Sequence, residues 1–391
     1  MHPSEPIVVD DELLERLDQL TGGAISICYQ CGVCTAACPW GLVLEDTLSV
    51  RTLIRKAQLG QFNGSEDLWL CTTCAVCQTS CPRGVDIPDV FRSLRNLAWE
   101  QQQPMKGLPS LMWSLYWNGN PWFQPPSQRT EWAKSLQIAE FDPDEHEILL
   151  YVGCTSSYDR RAQKIANALV RLLQTAGVQF GYLKDDEPCC GESALSLGHK
   201  PYFEEIAENT AAVFQKKGVH KVITISPHCY DVFKNHYQQI NPNFKPLHYT
   251  QFLVELIESG RLECTNSFNG RVTFQDPCYL GRLNDEYAAP RTILNAVPGI
   301  ELVEMPFSRN EALCCGGGGG RMWLETPVGE RFSDLRVKEA ASIDADILAT
   351  ACPFCIVCLE DSMKVAQLEN LQVMDIAEVL VNALLWVDRG G

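Results

Sequence analysis

The chain has 391 residues, 46% of them apolar and 21% charged, enough for two or three domains with proper cores and ordinary in charge for a globular protein. Forty-nine Asp and Glu against 32 Lys and Arg give a formal net charge of -17, and no run of basic residues exceeds two, which argues against nucleic acid as a partner. The acidic stretch Met1 to Asp18 has no apolar signal core and no stretch elsewhere is apolar enough to span a bilayer, so a cytoplasmic setting is expected and the nineteen cysteines read as metal thiolates rather than disulfides.

Asp10 to Leu20 has the spacing of a short amphipathic helix closed by Gly22-Gly23. Two copies of one pattern follow, Cys28-x-x-Cys31-x-x-Cys34-x-x-x-Cys38-Pro39 and Cys71-x-x-Cys74-x-x-Cys77-x-x-x-Cys81-Pro82. This is the ligand string of a bacterial-type two-cluster ferredoxin, in which three thiolates on one tight loop grip one cube and the fourth, beside its proline, serves the other. It assigns Cys28, Cys31, Cys34 and Cys81 to one cubane [4Fe-4S] cluster and Cys71, Cys74, Cys77 and Cys38 to the second. Structural zinc also uses paired C-x-x-C, but as four ligands in two pairs, not two sets of four with trailing prolines. Bound thiolates are ionised, so the formal charge understates the negative field.

Between the two runs, Leu42 to Leu59 has helical spacing at Leu44, Leu48, Leu53 and Ile54. Gln101 to Pro126 is dense in Pro, Gly, Asn and aromatics, and Ile138 to His146 is acidic and broken by Pro143, which together predict a connector. The aromatics Trp113, Tyr116, Trp117, Trp122, Phe123 and Trp132 fit packing between domains better than a docking surface.

From Glu147 the sequence repeats with a period of about 125 residues. Strand-like Glu147-Ile-Leu-Leu-Tyr-Val152 leads to Cys154, and Gly270-Arg-Val-Thr-Phe-Gln275 leads to Cys278. A helix and a second strand lead to Cys189-Cys190-Gly191 in one copy and Cys314-Cys315-Gly316 in the other. Lys221 to Ser226 then delivers Pro227-His228-Cys229, as Asp346 to Thr350 delivers Cys352-Pro353-Phe354-Cys355. Alternating strands and helices predict two small α/β domains with parallel sheets, whose cysteines gather beyond the carboxyl ends of the strands.

The doubled pattern Cys…Cys-Cys-Gly…Cys-Pro-x-Cys resembles the CCG domains of the heterodisulfide reductase catalytic subunit, and the ferredoxin run resembles that enzyme's small iron-sulfur subunit. The resemblance runs from about Ile25 to Leu385 and is carried most specifically by Asp276-Pro277-Cys278-Tyr279-Leu280-Gly281 and Cys314-Cys315-Gly316-Gly317-Gly318-Gly319. It implies a multidomain chain: a helical ferredoxin-type domain over 1–135, a linker over 136–146, a first CCG domain over 147–262 and a second over 263–391. It also implies a non-cubane [4Fe-4S] cluster on Cys278, Cys314, Cys315, Cys352 and Cys355. In the first unit Cys154, Cys189, Cys190 and Cys229 are present but Ser226 stands where the second unit has Cys352, which leaves room for zinc or an altered cluster there, with His228 nearby. A hydrogen-bonded loop histidine is the favoured reading of His228.

Adjacent cysteines splay apart and can bridge neighbouring irons, and the following glycine lets backbone N–H groups approach the sulfides. The five-glycine run Gly316 to Gly320 lacks the last glycine of a dinucleotide loop, where Arg321 stands, and no Gly-Lys-Ser/Thr follows it. Cys264 and Cys358 are left over and fit small apolar side chains. Two functions are expected. One is a heterodisulfide reductase-like oxidoreductase that passes electrons through two cubane clusters to a non-cubane site reducing a disulfide or other two-electron acceptor. The other is a relay from a dehydrogenase or electron-transfer flavoprotein towards quinone. With no flavin or nicotinamide fingerprint, redox partner subunits are implied, flavin-containing or membrane quinone-reactive, with membrane association through such a partner.

Overall fold

The computed structural model describes residues 8–44, 48–62, 64–237 and 244–384. Met1 to Ile7 of the acidic N-terminal stretch, Glu45 to Thr47 of the expected helix, and residues 238–243 and 385–391 of the two expected CCG domains lie outside the described residues. The N-terminal part is helical and short-looped. The first helix, Asp11–Leu20, begins where the Asp10 side chain accepts from Leu13 N, and ends before Gly22. The segment expected as one helix from Leu42 to Leu59 is shorter: a 3-10 turn, Pro39–Leu42, then a helix, Val50–Gln58, started by the Ser49 hydroxyl accepting from Thr52 N. Its periodic Leu48, Leu53 and Ile54 are buried as the spacing predicts.

The expected connector is more ordered than its composition suggests, because it contains a helix, Leu108–Asn118. Pro109 sits in its first turn, where no N–H is needed, and Gly119 ends it in the left-handed region. Further on, Phe141 N donates to Tyr182 O at 3.0 Å and Tyr182 N to Ala139 O at 3.2 Å, so the acidic segment extends the edge of the first sheet.

Two four-stranded parallel sheets follow. The first is built from β1 (Ile148–Tyr151), β2 (Phe180–Gly181), β3 (Lys221–Thr224) and β4 (Lys245–His248), and the second from β5 (Gly270–Gln275), β6 (Ile300–Leu302), β7 (Ile347–Thr350) and β8 (Gln372–Asp375). Their orders, β2-β1-β3-β4 and β6-β5-β7-β8, are the same, which is the repeat made visible. Register pairs Leu149 with Val222 in one sheet and Thr273 with Leu348 in the other. Each order reverses direction between its two central strands, and the crevice at that switch lies past their carboxyl ends.

The cores do not respect the domain plan. One apolar cluster runs through both sheets, joined where helix Gln163–Thr175 packs on helix Ile376–Leu384. A second unites ferredoxin residues such as Phe91, Leu94 and Trp69 with Leu197, Phe203 and Phe233 of the first α/β unit and Tyr279 of the second. The ferredoxin part therefore shares its core with the units that follow it.

Candidate metal centres

The two ferredoxin runs adopt one local conformation. Each ends in a single helical turn, Val33–Ala36 or Val76–Thr79, preceded by a residue in the left-handed region: Gly32 at φ 87 and Ala75 at φ 64. Gln30 at φ 66 and Thr73 at φ 52 repeat the strain two residues earlier. Curled this way, Cys28, Cys31 and Cys34 line one cleft together with Cys81 and Pro82, the grouping the spacing predicts. Cys38, Cys71, Cys74 and Cys77 sit near enough to raise one another's proton affinity. Cys31 is exposed, whereas Cys74 and Cys77 are buried, so the first group lies at the surface and the second at depth.

The thiols fit a group that brings positive charge. Burial pushes Cys38 up to about 12 and holds Cys77 well above its ordinary value, with neighbouring thiols adding to the rise. Several buried sulfurs facing one another cannot ionise unless a cation compensates them, and iron would do so.

In the second α/β unit Cys278 follows β5, Cys314 and Cys315 follow the loop after β6, and Cys352 stands just before the helix Pro353–Val365 that carries Cys355, without a side-chain capping bond. All five are buried. Cys278 Sγ lies 4.0 Å from Cys314 Sγ, and Cys355 Sγ 3.2 Å from Cys315 Sγ. Gly316, at φ 92, turns its N–H onto Cys314 Sγ at 3.3 Å, the backbone approach expected of that glycine. The first unit gathers Cys190 and Cys229, 3.2 Å apart, and Cys154 beside Cys189. Among the described residues no group of three or more His, Cys, Asp or Glu has the geometry of a single metal ion.

Ser226 has a different task from its counterpart: its hydroxyl accepts from His228 N at 3.3 Å and starts the helix Pro227–Asn235. His228 is on that helix rather than in a loop. It is buried, 3.2 Å from Glu192 Oε1, and stacked on Tyr279 with ring centroids 3.9 Å apart. Burial alone would lower the imidazole, but the Glu192 carboxylate and the Cys352 thiol outweigh it and hold it at about 10. Burial likewise pushes Cys352 up, while Cys355 and His228 more than reverse it and bring it down to about 5. The first unit thus sends a cation towards the cysteines of the second.

The deep ferredoxin thiols meet the second unit directly. Cys74 is within hydrogen-bonding reach of Cys314, which raises Cys74 and lowers Cys314. Arg282 Nε donates to Cys74 O at 2.7 Å and its Nη1 to Ala312 O at 2.5 Å. Fully buried Arg95 donates to Cys71 O at 2.7 Å, Ser196 O at 2.7 Å and Gly319 O at 3.1 Å, tying ferredoxin to both units. A Cβ at Gly318 would lie 2.5 Å from Thr72 O, and one at Gly319 would overlap the Cys71 carbonyl. These two glycines exist for the approach of the ferredoxin loop.

Two family models match this chain: a 4Fe-4S dicluster domain over residues 24–85 and a CCG cysteine-rich domain over 148–234 and again over 272–360. The D subunit of dihydromethanophenazine:CoB–CoM heterodisulfide reductase from Methanosarcina barkeri is 29% identical over 96% of this chain and 81% of its own length. The chain is an iron-sulfur protein with two CCG domains, similar to the heterodisulfide reductase-like group. It is also similar to the probable iron-sulfur-binding oxidoreductase FadF of Bacillus subtilis, at 37% over 71% of the chain. The EtfAB:quinone oxidoreductase of Syntrophomonas wolfei is 36% identical over 76%. The CCG-containing chain spans only 41% and 44% of those two relatives.

Sequence reasoning passed over the residues that join the CCG units to ferredoxin. Arg282 directly follows the quoted Cys278 motif and Glu192 directly follows Cys190-Gly191, so position beside a motif was an available signal. Nothing local marks Arg95. Nor does anything mark Arg129, which is buried, ion-paired to Glu187 at 2.8 Å and 3.7 Å from Cys154 Sγ. Of the aromatics, Trp132 is buried and Trp122 packs edge-on to Trp323 at 5.1 Å, as the packing account expects. Trp113, Tyr116, Trp117 and Phe123 do not follow it and stay exposed. Cys264 and Cys358 are half-buried and packed against the main apolar cluster, as small apolar side chains would be, and Cys358 also lines a cleft with Cys315.

Proposed function

We propose that electrons enter at the centre held by Cys28, Cys31, Cys34 and Cys81, pass to that held by Cys71, Cys74, Cys77 and Cys38, and arrive at Cys278, Cys314, Cys315, Cys352 and Cys355, where a disulfide or other two-electron acceptor is reduced. The contact of Cys74 with Cys314 carries this reading, since it puts a ligand of the second ferredoxin centre against the second CCG set and not the first. The clusters supply one-electron redox chemistry. The chain's own residues space them, exclude water by burial, and place the Arg95 and Arg282 cations between them. Cys154, Cys189, Cys190 and Cys229 would hold an altered cluster in preference to zinc, since they are not arranged as for a single ion, with Ser226 committed to its helix.

A second reading, relay towards quinone without disulfide chemistry, is favoured by Ser226, because a disulfide split between two matched sites needs both. The name of the Syntrophomonas relative agrees with it. Under either reading the chain works with redox subunits, flavin-containing or quinone-reactive. No helix among the described residues is long and apolar enough to cross a membrane, and membrane association through a quinone-reactive partner is part of this proposal.

The test is anaerobic purification with metal analysis and paramagnetic resonance. Two cubane signals, a third distinct signal and on the order of twelve irons per chain are expected. Zinc in place of iron would overturn the reading.

A further inference from the structure

The clefts at the first ferredoxin centre are lined by cations, against the acidic balance of the chain as a whole. Cys31 alone among the nineteen cysteines is exposed. Beside it stand three exposed apolar side chains, Ile27, Tyr29 and Val33, with 43%, 58% and 41% of their surface open to solvent. The cleft over Cys31 is lined by Arg51 and Arg83, and the adjoining cleft behind Cys28 by Arg51, Arg55 and Lys56. Among the described residues no Asp or Glu lines either cleft, and none of these four cations is in an ion pair. In a chain of net charge -17, a cationic rim around an apolar spot at the one exposed cysteine is a local reversal.

We propose that this face docks a small acidic one-electron carrier protein, which delivers electrons to the chain at the Cys31 loop. The proposal rests on the electron route given above and adds the chemistry of the partner. Cations at the rim would steer an acidic partner and orient it, while the general negative field would turn it away from other faces. Ile27, Tyr29 and Val33 would make the small desolvated contact that a transient electron-transfer encounter needs. In the step itself one electron leaves the carrier, which is oxidised by one unit, and the chain is reduced by one unit. No bond forms or breaks and no proton moves.

The probe is a small acidic [2Fe-2S] ferredoxin, with a basic cytochrome c as the opposite-charge control. Binding of the oxidised ferredoxin to the full chain and stopped-flow reduction by the reduced ferredoxin are each measured across a salt series. Both should weaken steeply with salt. The triple variant Arg51→Glu, Arg55→Glu, Arg83→Glu should lose at least about tenfold in association rate at low salt and gain affinity for the cytochrome. Its reduction by dithionite should be unchanged. If the reversed variant folds poorly, the milder set Arg51→Gln, Arg55→Gln, Arg83→Gln and the salt dependence of the unaltered chain decide the matter. Normal dithionite reduction combined with salt-independent, variant-independent behaviour towards the ferredoxin would overturn the docking face. Failure of dithionite to reduce the chain at all would instead overturn the electron route on which the proposal rests.

Discussion

Arg282 donates from Nε to the carbonyl oxygen of Cys74 at 2.7 Å, joining the second cysteine of the second ferredoxin run to a residue 208 places further along the chain. Its Nη2 is buried and without a hydrogen-bond partner, and the charges it senses are those of Cys74, Cys278 and Cys314. The guanidinium is a fixed cation between two proposed redox centres.

A buried cation stabilises the more negative, reduced state of whatever it faces, so it raises the reduction potential. Arg282→Gln should therefore lower the potential of the second ferredoxin centre and of the second CCG centre, and Arg282→Lys should restore part of it. The expected size is at least a tenfold change in the oxidised-to-reduced ratio at fixed potential, equivalent to 59 mV for one electron. Potentiometric titration read by paramagnetic resonance checks this, and unchanged potentials would reduce Arg282 to a packing role.

Gly319→Ala should destabilise the whole chain by about 2–4 kcal/mol, because the residue is at φ 60 and the added Cβ would overlap the Cys71 carbonyl. Gly260→Ala is the control: its φ is 72 but nothing lies within 4 Å, so only the backbone term remains, about 1 kcal/mol. Anaerobic denaturant titrations of the two variants give the comparison.

Cys315→Ala should abolish the distinct non-cubane signal and electron delivery to the acceptor while both cubane signals persist, since the ligand sets are separate. Cys190→Ala should remove at most zinc or a different cluster. The opposite pattern, loss on Cys190→Ala and retention on Cys315→Ala, would place the working centre in the first unit.

Asp375 is fully buried, and burial raises its carboxyl from 3.8 to about 8 although Tyr249 and Ala377 N donate to it. Glu378 and Arg161 are the nearby charges. A raised folded value means the stability contributed is complete below pH 3.8 and is lost as pH rises through about 8. The slope is at most about 1.4 kcal/mol per pH unit. Asp375→Asn, which keeps the acceptor oxygen for both donors, should flatten the dependence and melt above the parent at pH 8, as thermal unfolding at pH 5 and pH 8 would reveal.

What could be read in the sequence was the part fixed by short-range spacing. Cys28, Cys31, Cys34 and Cys81 meet because three lie on one loop and the fourth is beside a proline, and β1, β3, β5 and β7 repeat because each central strand carries its own apolar run. The unread part depends on distant partners. Gly318 and Gly319 stand in the sequence as part of a glycine run that fails the dinucleotide-loop pattern, and their lack of a side chain answers to Thr72 and Cys71, more than two hundred residues away. Ser226 was legible as a missing ligand, yet its use as a helix cap and the turn of His228 towards Glu192 and Tyr279 needed the fold. The helix Leu108–Asn118 was hidden because its Pro109 and Gly119 are boundary residues, and composition alone made them look like breakers throughout.

The fit of Gly318 and Gly319 against the Cys71–Thr73 loop also bears on how such a chain can drift over generations. The atoms a new side chain would meet are backbone carbonyls of Cys71 and Thr72, which no substitution in that loop can remove, so 318 and 319 should stay glycine across descendants whatever else changes around them. Lineages that carry the two halves on separate genes face the same restriction between two loci, and a horizontally acquired replacement for the second half would fit only with glycine at both places.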